Sequence, residues 1–247
     1  MSRLGIIDWG IGGVSVYRRV KERLGDIAVT YFSDTGATPY GKMARRELVT
    51  RLTSVVEFLK TRKVTHVAIG CNAASTAIDD LASIDLPIVG VIKPAVAMTA
   101  RHKPKKLGLI GGRRTVVSGV YRRAFQQHGI EVQQRIAQPL SGIIEGGDIS
   151  SERLRSEAHR ILSPIRNCSH ILLACTHYPA IEPMLKRLVS PDSVFLDPAS
   201  ELVKHVARWD LPLGAAEFLT TGEAAQMKLS ARRAFGVDIR HAEIVRL

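Results

Sequence analysis

This chain repeats itself, and that repeat constrains the fold more than any other feature of its 247 residues. LGIID at Leu4–Asp8 returns as LGLIG at Leu107–Gly111, 103 positions on. Tyr17-Arg18-Arg19 returns as Tyr121-Arg122-Arg123, and His66-Val-Ala-Ile-Gly-Cys71 as His170-Ile-Leu-Leu-Ala-Cys175, each 104 positions on. Pro87 maps to Pro191, and Pro94-Ala95 to Pro198-Ala199, at the same offset of 104. One inserted residue accounts for the drift. Matches that stay in register this way mark a duplicated structural unit. The segment from about His205 to Leu247 lies outside the repeat.

Each unit alternates short β-rich runs with longer amphipathic stretches. Candidate strands are Leu4–Asp8, Ala28–Asp34, His66–Cys71, Ile88–Ile92, Leu107–Gly111, Ile171–Cys175 and Val194–Asp197. Runs such as HVAIG and ILLA are apolar throughout, the pattern of parallel strands buried on both faces. Between them, Arg45–Lys60 sets Leu48, Leu52, Val55, Val56 and Leu59 on one helical face. The class is α/β, with two similar Rossmann-like parallel-sheet lobes related by a pseudo-twofold axis and a cleft between them. The expected division is 1–94 with 206–247 as the first lobe and 95–205 as the second.

Composition narrows the setting. At 45% hydrophobic and 23% charged the chain is too apolar to be disordered. No apolar run approaches the ~18–20 residues that cross a bilayer, so no membrane partner is expected. The start, MSRLGIIDWG, does not read as a secretory core, because Asp8 and two glycines interrupt it. Three widely spaced cysteines form neither a disulfide framework nor a metal site, which points to a reducing cytoplasm. The net charge of +12 raises nucleic acid as a partner. Against it, the densest basic cluster, Arg101 to Lys106, holds no aromatic residue to stack on bases. Nucleic-acid binding is therefore not expected, and a basic surface would still attract anionic small molecules.

The chemistry gathers at strand ends, where ligands bind in parallel α/β sheets. Cys71 and Cys175 end equivalent strands of the two units. A single buried cysteine reads as a small hydrophobe, and Cys168 fits that description. Two cysteines at symmetry-related strand ends, followed by Asn72 and by Thr176-His177, suit a different task. One thiolate can remove a proton from a carbon while the opposite thiol delivers one to the other face, inverting the centre. A rival reading comes from Gly10-Ile-Gly12-Gly13 after the first strand and Asp34 after the second, an arrangement seen in dinucleotide sites. Ser15 stands where that fingerprint needs its third glycine, and Asp8 occupies the strand tip where a pyrophosphate would approach.

The stretches from Asp8 to Val16, Asp34 to Gly41, Gly70 to Ser75 and Ala174 to Pro179 resemble the glutamate racemase family of cofactor-independent aspartate/glutamate racemases. The resemblance extends through Gly90–Pro94, Thr115–Ser118 and Leu196-Asp197 into Phe218–Gly222, nearly the whole chain. It implies Cys71 and Cys175 as the two bases, with Asp8 assisting the first and His177 the second. It implies that Pro39, Tyr40, Gly41, Asn72, Thr115 and Thr176 line the substrate pocket, and that Glu145 matches a further family carboxylate. No cofactor, interconversion of L- and D-glutamate, D-glutamate for peptidoglycan and a homodimer follow from the same resemblance. The chain departs from the family at Trp9, usually Ser, and at Ala73, usually Thr, where two hydroxyls that touch the substrate are lost. Two alternatives stay open on that account: a same-fold racemase for another amino or carboxylic acid, and a member that has lost activity.

Overall fold

The computed structural model describes residues 2–247. Its strands are β1 (Leu4–Asp8), β2 (Val29–Ser33), β3 (His66–Ile69), β4 (Ile88–Gly90), β5 (Leu107–Gly111), β6 (Val132–Ile136), β7 (His170–Ala174), β8 (Val194–Leu196), β9 (Glu217–Thr220) and β10 (Glu243–Ile244). They form two sheets, ordered β10-β9-β2-β1-β3-β4 and β6-β5-β7-β8, and every pairing is parallel.

The repeat is visible in the pairing itself. Leu4 stands opposite Val29 and His66 in the first sheet, and Leu107 stands opposite Val132 and His170 in the second. The order β2-β1-β3-β4 is thus reproduced as β6-β5-β7-β8. β1, β2 and β5 are buried along their whole length, as strands covered on both faces must be. Helix Arg45–Thr61 covers one face of the first sheet and buries the five apolar residues expected of it. Each such side chain contributes about 1.5–3 kcal/mol.

Three strands escaped the apolar-run pattern. β6 reads VQQRI and is partly exposed at the edge of its sheet. β9 and β10 are short and extend the first sheet beyond β2, so part of the segment outside the repeat is built into that sheet.

The two sheets are joined through helices. Helix Ile92–His102, after β4, packs on its repeat counterpart Pro198–Val206, after β8, which also packs on Val14–Leu24. Mutual contact of counterpart helices is what a pseudo-twofold relation requires. One continuous core takes in Leu4 and Ile6 of β1, Leu107 and Leu109 of β5, and Leu202 and Val206 between them. Ile7, the neighbour of Ile6, points to the opposite face and joins Phe32, Leu48 and Ile69 in a second core. Among the described residues no helix is long and apolar enough to cross a membrane.

Candidate active site

Cys71 lies just beyond β3, at the start of the short helix Asn72–Ser75, and Cys175 directly follows β7. Both open on one cleft of about 360 Å³, within the range of small-molecule sites. Asp8, Trp9, Pro39, Tyr40, Gly41, Asn72, Ala73, Thr115, Thr176 and His177 line the same cleft, so every site residue expected from the sequence is gathered there. A larger groove of about 870 Å³ on the other side of Asn72–Ser75 carries neither thiol. Cys168 is buried apart from the cleft, with Gln133 Oε1 3.9 Å from its sulfur.

On the first side, Asp8 ends β1 and is almost wholly buried. Its carboxylate accepts hydrogen bonds from the backbone N–H of Trp9 (2.7 Å) and of Gly13 (2.6 Å). Burial nevertheless holds Asp8 above the usual carboxylate range, against the lowering pull of His177 and of the neighbouring Cys71. Burial also pushes the Cys71 thiol well above the usual thiol range, and the facing Asp8 carboxylate adds to the rise. This side of the cleft therefore holds protons tightly.

The second side is built differently. His177 Nδ1 faces Cys175 Sγ at 3.6 Å, and Nε2 meets Glu145 Oε2 at 2.6 Å. Burial works to deprotonate the ring, but the Cys175 sulfur and the Glu145 carboxylate outweigh it and hold His177 well above the usual histidine range. Glu145 Oε2 is fixed in turn by the backbone N–H of Ile11 at 2.9 Å. A carboxylate–imidazole–thiol chain thus faces a carboxyl–thiol pair.

The glycines of the Gly10–Gly13 loop are explained by this machinery. A Cβ on Gly10 would collide with the Glu145 carboxylate. A Cβ on Gly12 would stand 2.5 Å from His177 Nδ1, 2.6 Å from Thr176 Oγ1 and 2.8 Å from Asp8 Oδ2. The loop's amides are engaged by Asp8 and Glu145. What resembles part of a phosphate-binding loop is here the space in which the two sides of the cleft meet.

The walls are held from outside. Tyr40 donates its hydroxyl proton to Asp34 Oδ2 at 2.8 Å, and Asp34 also takes two bonds from Arg51 (2.8 and 2.6 Å) and one from Thr221 (2.8 Å). Asp34, which the dinucleotide reading set after the second strand, is the anchor of Tyr40. Arg114 Nε reaches across from the second lobe to the Tyr40 carbonyl at 2.9 Å, and its guanidinium also contacts the Met43 carbonyl. Trp9 lines the cleft with its indole N–H bonded to the Ala37 carbonyl at 3.0 Å.

Helix Gln138–Glu145 supplies residues that the sequence expectations did not single out. These are Gln138, Ser141 and Gly142, which line the cleft; Glu145, already matched to a family carboxylate, reaches His177 from the same helix. Their spacing of three, four and seven puts them on one face. A polar stripe on a helix whose Leu140 and Ile144 are buried was the signal available. Lys42, Gly112, Arg113 and Ala174 complete the lining.

The sequence profile of the Asp/Glu/hydantoin racemase family matches residues 4–206. The chain belongs to this racemase family. It is 34% identical over 212 residues to the glutamate racemase of Trichodesmium erythraeum, covering 83% of this chain and 78% of that protein. It is 33% identical over 209 residues to the glutamate racemase of Synechococcus sp., covering 82% and 78%. Among solved structures, that of glutamate racemase isoform RacE1 from Bacillus anthracis superposes with a TM-score of 0.90 at 25% identity, covering 100% of this chain and 98% of that one. The racemase fold accounts for both sheets, including the added β9 and β10.

Proposed function

We propose that this chain is a glutamate racemase that moves the α-proton between two thiols. The observation that carries the proposal is the placement of Cys71 and Cys175 at equivalent strand ends of the two repeats, lining one cleft. Family membership and the similarity to glutamate racemases support glutamate as the substrate. D-glutamate for peptidoglycan, a cytoplasmic setting and a homodimer belong to the same reading, as does a division into lobes 1–94 with 206–247 and 95–205.

The geometry distributes the work unequally. Cys71 carries its proton at rest, held by burial and by Asp8. Cys175, with His177 Nδ1 3.6 Å from its sulfur, serves as the base in this direction of the reaction. It takes the α-proton from one face, and Cys71 gives its proton to the other face of the resulting carbanion. The substrate centre is inverted, leaving Cys175 protonated and Cys71 as thiolate. Asp8 and His177 then return the two sulfurs to their starting charge through solvent exchange, or the reverse reaction runs from the state just formed. The α-carbon is weakly acidic, so the carbanion depends on preorganised donors in the cleft.

The test is solvent-deuterium exchange into the α-position, followed by proton NMR for both enantiomers of glutamate, aspartate and a panel of other amino acids. Exchange with glutamate and appearance of its opposite enantiomer are expected. Exchange confined to another amino acid would transfer the same chemistry to that substrate, which Trp9 and Ala73 in the cleft wall make the second reading. Cys71→Ala and Cys175→Ala should each lower racemisation by roughly 10²–10⁴-fold or more. Full turnover in both directions by either variant would end the two-thiol account.

A further inference from the structure

Asn72 lines the cleft and is only 3% exposed. Its side-chain Oδ1 accepts a 2.7 Å hydrogen bond from the Tyr121 hydroxyl, while its Nδ2 is buried without a protein partner. Burying an amide donor unpaired is costly. Next to a cleft, such a donor marks where an acceptor of the ligand belongs.

Tyr121 determines which end of the carboxamide is presented. It is fully buried on helix Val120–Gln126, and Asn72 Oδ1 is the acceptor for its hydroxyl. Burial raises the phenol above its ordinary range, so the group keeps its proton. Turning the carboxamide over would set its NH2 against the phenol and leave the buried hydroxyl proton with no acceptor. The amide therefore has one favoured orientation, with its oxygen held by Tyr121 and its nitrogen left for an acceptor beside the cleft wall. An ammonium group, which only donates, cannot meet that nitrogen; a carboxylate, which only accepts, can.

We propose that Tyr121 is a positioning residue for substrate recognition: by holding Asn72 Oδ1 it turns the Nδ2 hydrogens toward a carboxylate of the bound amino acid. This role rests on the racemase reading of the cleft. It also gives the second lobe a part in the grip of the first, because Asn72 follows β3 and Tyr121 follows β5. The repeat counterpart, Tyr17, does something else: its ring meets the edge of Phe218 at 5.0 Å between centroids. The same Tyr-Arg-Arg segment has been put to packing in one unit and to orientation in the other.

The test compares wild type, Tyr121→Phe, Asn72→Ala and the double variant. Binding of D-glutamate is measured by calorimetry, and α-deuterium exchange is measured separately. Tyr121→Phe keeps the ring that stacks on Phe125 at 5.8 Å, and unchanged circular dichroism confirms the fold. Wild type should bind D-glutamate, and Tyr121→Phe should bind it about tenfold more weakly. Asn72→Ala should lose at least as much, and the double variant should match Asn72→Ala, because Tyr121 acts through Asn72. Equal binding by Tyr121→Phe and wild type overturns the proposal. Losses that multiply in the double variant also overturn it, as does a wild type that binds no D-glutamate. Binding in the expected ratios without α-deuterium exchange would remove the racemase reading and leave the role of Tyr121 standing.

Discussion

Glu145 holds His177 by its far nitrogen, Oε2 to Nε2 at 2.6 Å, and so turns the near nitrogen toward Cys175. The two residues are 32 positions apart in sequence and belong to different helical turns around the cleft. Their bond fixes the orientation of the ring and supports its positive charge. Among the described residues no such imidazole stands on the Cys71 side, where the buried Asp8 carboxyl group is the neighbour. The two halves of a duplicated fold thus set different titratable groups beside their cysteines, Asp8 at the end of β1 and His177 past the end of β7.

The first consequence concerns pH. Glu145 helps to raise His177 above its ordinary pKa near 6.5, so Glu145→Gln should let the ring lose its proton at lower pH. The alkaline limb of kcat should move downward, with a loss of roughly 10–100-fold above neutrality. For folding, the raised His177 value contributes stability that is fully present below about pH 6.5 and is lost as pH rises through the folded-state value. Urea unfolding of wild type and Glu145→Gln on the two sides of neutrality reads this directly: the variant should lose more stability at acidic than at alkaline pH. An unmoved pH–rate profile would count against the carboxylate–imidazole chain.

Gly12 admits no side chain without disturbing both sides of the cleft. Gly12→Ala should displace His177 and Thr176, lowering racemisation by at least about 10²-fold, the cost of misplaced catalytic groups. A crystal structure of the variant would show the His177 ring moved from Cys175. Wild-type turnover would mean that the loop can shift as a body.

Trp9 and Ala73 line the cleft at positions where the family resemblance implies two hydroxyls, and Trp9 is tethered to Ala37. Restoring them with Trp9→Ser and Ala73→Thr should improve kcat/KM for glutamate. One recovered hydrogen bond of about 1 kcal/mol corresponds to roughly fivefold. Circular dichroism of the racemising mixture measures the rate. A fall in kcat/KM would show that the indole contributes to binding.

Arg51 is the main charge partner of the fully buried Asp34. Arg51→Ala leaves that carboxylate with Tyr40 and Thr221 alone, and it should lower the unfolding free energy by about 3 kcal/mol. Chemical denaturation provides the measurement. A loss below about 1 kcal/mol would place the pair among surface ion pairs in its effect.

Cys71 and Cys175 were legible because each sits just past an apolar strand in a repeated context, where strand direction and ligand site are coupled; Asp8 and His177 followed from the family resemblance. Pro39, Tyr40, Gly41 and the Cys-Asn and Cys-Thr-His segments were legible through their resemblance to a family. Gln138 and Ser141 were less so, since a helix stripe reports a face and not what the face meets. Arg114 and Tyr121 act across the cleft, and contacts between units leave no periodic trace in either one. β6 was missed because an edge strand such as VQQRI need not be apolar. β9 and β10 were missed because a strand of two to four residues carries too little pattern.

The pairing of β9 with β2 has a consequence for how the chain is made. Thr30 and Glu217, bonded across those strands, are 187 residues apart. A ribosome delivers β5 to β8 in full before it delivers β9, so the second sheet has all its strands while β2 is still an open edge. An open parallel edge invites pairing with other chains. The segment that carries β9 and β10, made after the other strands of both sheets, therefore acts as the cover that closes that edge.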